Sequence, residues 1–139
     1  MRSSLALVLV FLSMIEFPVA AHANPKPDKP KSVAQGTWGG EHVEMTVDAN
    51  GAAFEFDCAN ASVTEPLALD KNGRFAAKGA YRRESGAARA DGGGAATPAD
   101  FTGTVDGKKM KLQMKIEGIP EPQVFELELD GKAQLTKCM

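Results

Sequence analysis

Very few side chains in this sequence could do chemistry. Beyond residue 23 the chain carries one histidine, His42. Carboxylates surround it in sequence: Glu41 beside it, Glu44 two positions on, and Asp57 further along. On an extended chain His42 and Glu44 share a face, so both could reach one ion across a surface. An imidazole among carboxylates is the raw material of a metal site or an acid–base pair. Zinc, however, usually takes three or four nitrogen or sulfur ligands, and only one nitrogen ligand remains once the cysteines are joined. The bland reading is a surface histidine near the rim of a barrel, and no catalytic residue, metal or cofactor is expected. A nucleophile-elbow pattern is absent. Asp48-x-Asn50-Gly51 and Asp70-x-Asn72-Gly73 look like pieces of calcium loops, but Thr46 and Ala68 stand where a full loop needs an acid. Both read as turns, and Asn60-Ala61-Ser62 is a glycosylation sequon by pattern alone.

The remaining reactive groups are Cys58 and Cys138. An even count in an exported chain indicates a disulfide, two free thiols being the alternative. With no C-x-x-C pair there is neither a redox motif nor a zinc ribbon. The bridge would close a loop of about 80 residues, worth at most about 4.5 kcal/mol in the chain-entropy picture.

Export is read from the N-terminus. Arg2 supplies a positive start, Leu5 to Ile15 is apolar apart from Ser13, and Ala21-His22-Ala23 is a small-x-small cleavage site. The apolar run is too short to cross a bilayer, and Glu16 and Pro18 interrupt its end. Residues 1–23 are therefore a signal peptide and residues 24–35, rich in proline and lysine, a flexible solvated tail. Residues 36–139 form the folded domain. The expected location is periplasmic or extracellular, with no lipid or membrane anchor. The net charge is −2, and removal of Arg2 with Glu16 leaves it so. That balance, with basic residues dispersed, excludes nucleic acid as the main partner.

Four turn dipeptides set the architecture: Asn50-Gly51, Asn72-Gly73, Asp106-Gly107 and Asp130-Gly131. Each lies between stretches that alternate apolar and polar residues, the signature of a hairpin on a tight type I′ turn. Four hairpins give eight strands, expected near 41–48, 53–58, 67–69 and 75–82, and on either side of Asp106-Gly107 and of Asp130-Gly131. Met110, Leu112, Met114 and Ile116 share one face, and Lys109, Lys111, Gln113 and Lys115 the other. Phe54, Phe56, Phe75, Phe101 and Phe125 all fall on inward positions. The expected fold is all-β: a small eight-stranded antiparallel up-and-down barrel, with a β-sandwich as the alternative. Glu84 to Pro98 reads as a mobile loop. The tail, this loop and the end near Trp38 are expected to gather at one end. Cys138 has outward parity, so a bulge or a crossing C-terminal end must bring it to Cys58.

Gly36-Thr37-Trp38 resembles the N-terminal signature of lipocalins and their calycin relatives, including avidin. Phe75, Gly79 and Tyr81 are similar to the aromatic-glycine-aromatic strand of avidin-like barrels. That resemblance implies a calycin-like barrel whose tryptophan plugs the closed end. A second resemblance covers nearly the whole mature chain. It rests on Trp38-Gly39-Gly40-Glu41-His42, Glu55-Phe56-Asp57-Cys58-Ala59, Gly73-Arg74-Phe75, Phe101-Thr102-Gly103 and the near-terminal Cys138. Together these residues resemble a family of small exported bacterial proteins of uncharacterised function. This implies a fold, an address and a bridge, but no activity.

Two functional expectations follow. The first is a monomeric, non-catalytic carrier of a small apolar ligand, lined by Trp38, Met45, Phe54, Phe56, Phe75, Tyr81, Met110 and Met114. The second is a protein-interaction module, such as an inhibitor of an exported protease that acts through its N-terminal tail. Its plan is similar to that of bacterial metalloprotease inhibitors built as small disulfide-bridged barrels.

Overall fold

The computed structural model describes residues 31–84 and 95–138. The segment read as a signal peptide, the first part of the tail and most of the Glu84 to Pro98 loop lie outside the described residues. The elements are β1 (Gly36–Gly40), β2 (Val43–Val47), β3 (Ala52–Phe56), β4 (Ala59–Val63), β5 (Arg74–Arg83), β6 (Thr97–Asp106), β7 (Lys109–Ile116) and β8 (Gln123–Leu129). Each strand pairs antiparallel with its chain neighbour, and β1 pairs with β8 to close the barrel. The fold is thus the eight-stranded up-and-down barrel, compatible with a calycin-like plan, and no helix occurs among the described residues.

Alternation dictates which face is buried. Val43, Met45 and Val47 point in from β2, Phe54 and Phe56 from β3, and Met110, Leu112, Met114 and Ile116 from β7. The lysines of β7 point out. On that outer face the register sets Lys109 between Asp106 and Glu128, and Lys111 opposite Glu126, so opposite charges face each other across strands. The core also takes in Trp38, Phe75, Phe101 and Leu127. Phe54 stacks on Phe101 at 4.6 Å between ring centres, and Phe56 continues the column at 6.1 Å from Phe54.

The strands are not all the ones the turn dipeptides suggested. The expected first strand, 41–48, is β2, and an unexpected strand, β1, precedes it and folds back on it at Glu41-His42, where His42 takes a left-handed φ of 64°. Ala59 to Pro66, read as a connection, contains β4. Residues 67–69 form no barrel strand, and no strand follows Asp130-Gly131. Only Asn50-Gly51 and Asp106-Gly107 link paired strands as short hairpin turns, while Asn72-Gly73 ends the longer connection from β4 to β5. Neither is a type I′ turn, because Asn50, Gly51 and Asp106 keep negative φ. The Asp48 carboxylate organises the first by accepting the amides of Asn50 and Gly51. Gly107, with φ 58°, opens the second as the first of two loop residues, as a type II′ turn requires.

These changes reassign the ends of the barrel. β1 enters from the tail end, so the tail and the β2–β3, β4–β5 and β6–β7 connections share that end. Glu41-His42, Asp57-Cys58, the 84–96 connection and the β7–β8 connection share the other. Residues 31–35 and the described ends of the 84–98 segment therefore lie at opposite ends, which corrects the expectation that the tail and that loop gather at one end. Residues 31–35 close the tail end. Leu69 N–H donates to Lys31 O, Val33 N–H donates to Leu67 O, and Val33 is only 2% exposed. Trp38 is fully buried and its indole N–H donates to Ala34 O at 3.0 Å.

The C-terminal residues form no strand but cross the barrel. After β8 the chain reverses at Asp130, φ 60°, whose N–H donates to Thr37 O. It then passes over the outer face of β1 at Gly39. A Cβ there would sit 2.2 Å from Gly131 O and 2.7 Å from Ala133 N, so only glycine permits the crossing. Gln134 bridges Glu41 in parallel, donating to Gly40 O and accepting from His42 N–H. This crossing carries Cys138 from its outward parity to Cys58, with 5.3 Å between the Cα atoms of the disulfide.

Candidate functional site

The end opposite the tail holds a cleft of about 440 Å³. Its floor is apolar. Phe56 on β3, Tyr81 on β5 and Phe125 on β8 bring their rings together, with Phe56 5.3 Å from Phe125 and 6.3 Å from Tyr81. Through Phe56 and Phe54 these rings continue the buried stack that begins at Phe101. Tyr81 and Phe125 are only partly buried, so the aromatic column surfaces here.

The rim is polar. His42, Asp57, Arg83, Glu84 and Gln123 line it, together with the Cys58–Cys138 disulfide. Asp57 is its organising group. One carboxylate oxygen accepts the Thr136 amide at 2.7 Å and the other lies 2.6 Å from His42 Nδ1. A carboxylate can only accept, so Nδ1 carries the proton and Nε2 faces Glu41 at 3.5 Å. The Thr136 amide holds the Asp57 carboxyl below its ordinary 3.8; burial opposes this, and the His42 hydrogen bond and nearby positive charges reinforce it.

An imidazole oriented by a carboxylate is half of a catalytic triad, and the other half is a nucleophile. Among the described residues neither serine nor threonine lines the cleft, and both cysteines are bonded to each other. Among the described residues no group of three His, Cys, Asp or Glu side chains is arranged to hold a metal. What the geometry does plainly is fasten the C-terminal segment to two barrel turns.

The eight residues singled out as a ligand lining divide sharply. Trp38, Met45, Phe54, Phe75, Met110 and Met114 are core residues, each at most 4% exposed and packed in one cluster. Phe56 and Tyr81 reach the cleft. Phe125 belongs with them; its inward parity was legible, but its place at the open end was not. Arg83, Glu84 and Gln123 lie at strand ends that an up-and-down meander already sets at one end with Cys58; that their side chains meet in a cleft was not legible. No family model, curated protein or solved structure matches this chain.

Proposed function

We propose that the protein is an exported, non-catalytic, monomeric binding barrel that takes a small apolar ligand at its open end. The observation that carries this reading is the aromatic column: it is sealed among core side chains at Phe101 and surfaces at Tyr81 and Phe125 in a cleft. Flat rings at the floor of a cleft offer apolar area and stacking, and polar rim groups can orient what binds. The deeper methionines and Trp38 act as a packed support for that floor. Export rests on the signal segment in the sequence, and the disulfide is compatible with an oxidising compartment. Kinship with the calycins and with the small exported bacterial proteins belongs to the same proposal.

Titration of the mature protein with the fluorescent apolar probe N-phenyl-1-naphthylamine tests it. Saturable binding is expected, weakened about ten-fold or more, or about 1.4 kcal/mol, by Tyr81→Ala and by Phe125→Ala. An unsaturable signal, or the same affinity in both variants, would sink the reading.

The second reading, an interaction module acting through the tail, is favoured by how firmly the tail is rooted. Ser32 bridges Ala68 and Val33 is part of the core. That root is at the closed end, so the two readings use opposite ends. Deleting residues 24–30, which spares Val33, should abolish capture of a protease partner while leaving probe binding unchanged. The carrier reading expects the tail deletion to change neither.

A further inference from the structure

Residues 130–138 form a strap whose attachments all converge on one place. It crosses β1 at Gly39, bridges the β1–β2 turn through Gln134, reaches the β3–β4 turn through Thr136 and Asp57, and ends in the disulfide to Cys58. Lys137 also pairs with Glu55 at 3.3 Å. The strap lies over the seam where the barrel closes. That seam is short: β1 and β8 pair only from Trp38 to Gly40 and from Leu127 to Leu129, whereas β5 and β6 pair from Arg74 to Tyr81.

Three features mark the strap as separable from the barrel. None of its residues belongs to the buried core. Its polar ties other than the backbone bridges are solvent-exposed, and exposed ties of this kind hold weakly. Among the described residues, the two non-glycine residues with left-handed φ, His42 and Asp130, both sit at its anchor points, where its backbone bridges meet the barrel. Both are residue types that tolerate this conformation. The covalent tie is also reachable: Cys138 is exposed and Cys58 half-buried.

We infer that the Cys58–Cys138 disulfide is a redox-operated clasp, and that its reduction frees the strap and loosens the β1–β8 seam while the rest of the barrel stays folded. The reductant is a dithiol. One thiolate attacks the exposed Cys138 sulfur, giving a mixed disulfide and releasing the Cys58 thiolate, which takes up a proton. The second thiol of the reductant then displaces Cys138. The reductant leaves as a disulfide, and the protein gains two electrons and two protons as two thiols. Because Cys138 and His42 line the open-end cleft, release also removes one wall of that cleft. The inference does not depend on any ligand binding there, since it is read from backbone protection alone.

Hydrogen exchange by mass spectrometry on the mature chain tests it, comparing the oxidised protein, the protein folded and then reduced with dithiothreitol, and the Cys58→Ser, Cys138→Ser double variant. On reduction, residues 131–138 and 38–42 are expected to exchange within about ten-fold of the unfolded rate. Strands β5 to β7 should remain protected at least about a hundred-fold more than the strap. If the double variant does not fold, the protein reduced after folding makes the same comparison. A strap that stays protected after confirmed reduction overturns the clasp. So does loss of protection in all strands together, because the disulfide would then be a global staple.

Discussion

The two halves of this barrel are held by different means. In β5 to β8 the strands are 10, 10, 8 and 7 residues long, and the chain closes them with little else. In β1 to β4 every strand has five residues. The docked tail, the strap, the His42–Asp57 pair and the disulfide are all fastened to this short-stranded half or to the connection leaving it. Long ladders supply their own cooperativity, whereas short ones need clamps. The difference teaches where regulation can enter, since a clamp can be removed without touching a core side chain.

Removing the clamp should give the largest effect. The Cys58→Ser, Cys138→Ser variant is expected to lose up to about 4.5 kcal/mol in urea unfolding followed by circular dichroism. Phe101→Ala, at the centre of the long half, should cost about 4 kcal/mol. The two variants should differ in kind. Exchange should loosen chiefly at β1 and β8 in the first and across all strands in the second, and identical patterns would erase the distinction between the halves. The glycines sharpen the contrast. Gly39→Ala meets backbone of the strap and should cost about 3 kcal/mol. Gly103→Ala, on β6, meets the Phe75 ring at 2.2 Å, a side chain and not backbone, so a smaller cost of about 1–2 kcal/mol is expected. A thermal melt in which Gly103→Ala proved the worse would count against a rigid strap crossing.

The smallest expected effect is acid loosening at Asp57. Its folded pKa is depressed, so its contribution is complete above the ordinary 3.8 and is lost as pH falls through the lowered value. The Thr136 amide resonance should therefore move only once pH falls below the ordinary 3.8 and through the lowered value. In Asp57→Asn, that acid shift should vanish. An unchanged titration in the variant would place the responsible group elsewhere.

How much of this was legible depends on what each residue can specify. The faces of β7 were plain, because four apolar residues alternate with lysines and glutamine between a solid interior and water. Turn residues were less informative. Asn72-Gly73 and Asp130-Gly131 do bend the chain, with φ 73° at Gly73 and 60° at Asp130, but a bend does not say whether a paired strand follows. β4 was invisible because Ala59-Asn60-Ala61-Ser62-Val63 has small and polar residues with little strand preference. The fold at Glu41-His42 was invisible because a histidine occupies a left-handed position that glycine or asparagine would normally announce. The missed reversal at Glu41-His42 alone was enough to move the tail to the other end, since β4 runs in the direction expected of a strand at 67–69. The rim strands β3, β5 and β8 ran as expected; which of their side chains meet in a cleft follows from packing and not from strand pattern.

The closure of the barrel through β1 and β8 also sets an order of events. Every other pairing joins chain neighbours and can zip as the chain appears, with small loop entropy at each step. β1 alone must wait for a partner that emerges last, and the strap and Cys138 come later still. Until then β1 is an open edge, and three glycines among its five residues make it a poor template for the wrong strand. Residues 130–138, which follow every strand along the chain, thus finish the circle, and a chain truncated just before Asp130 would hold every strand yet lack its fastening.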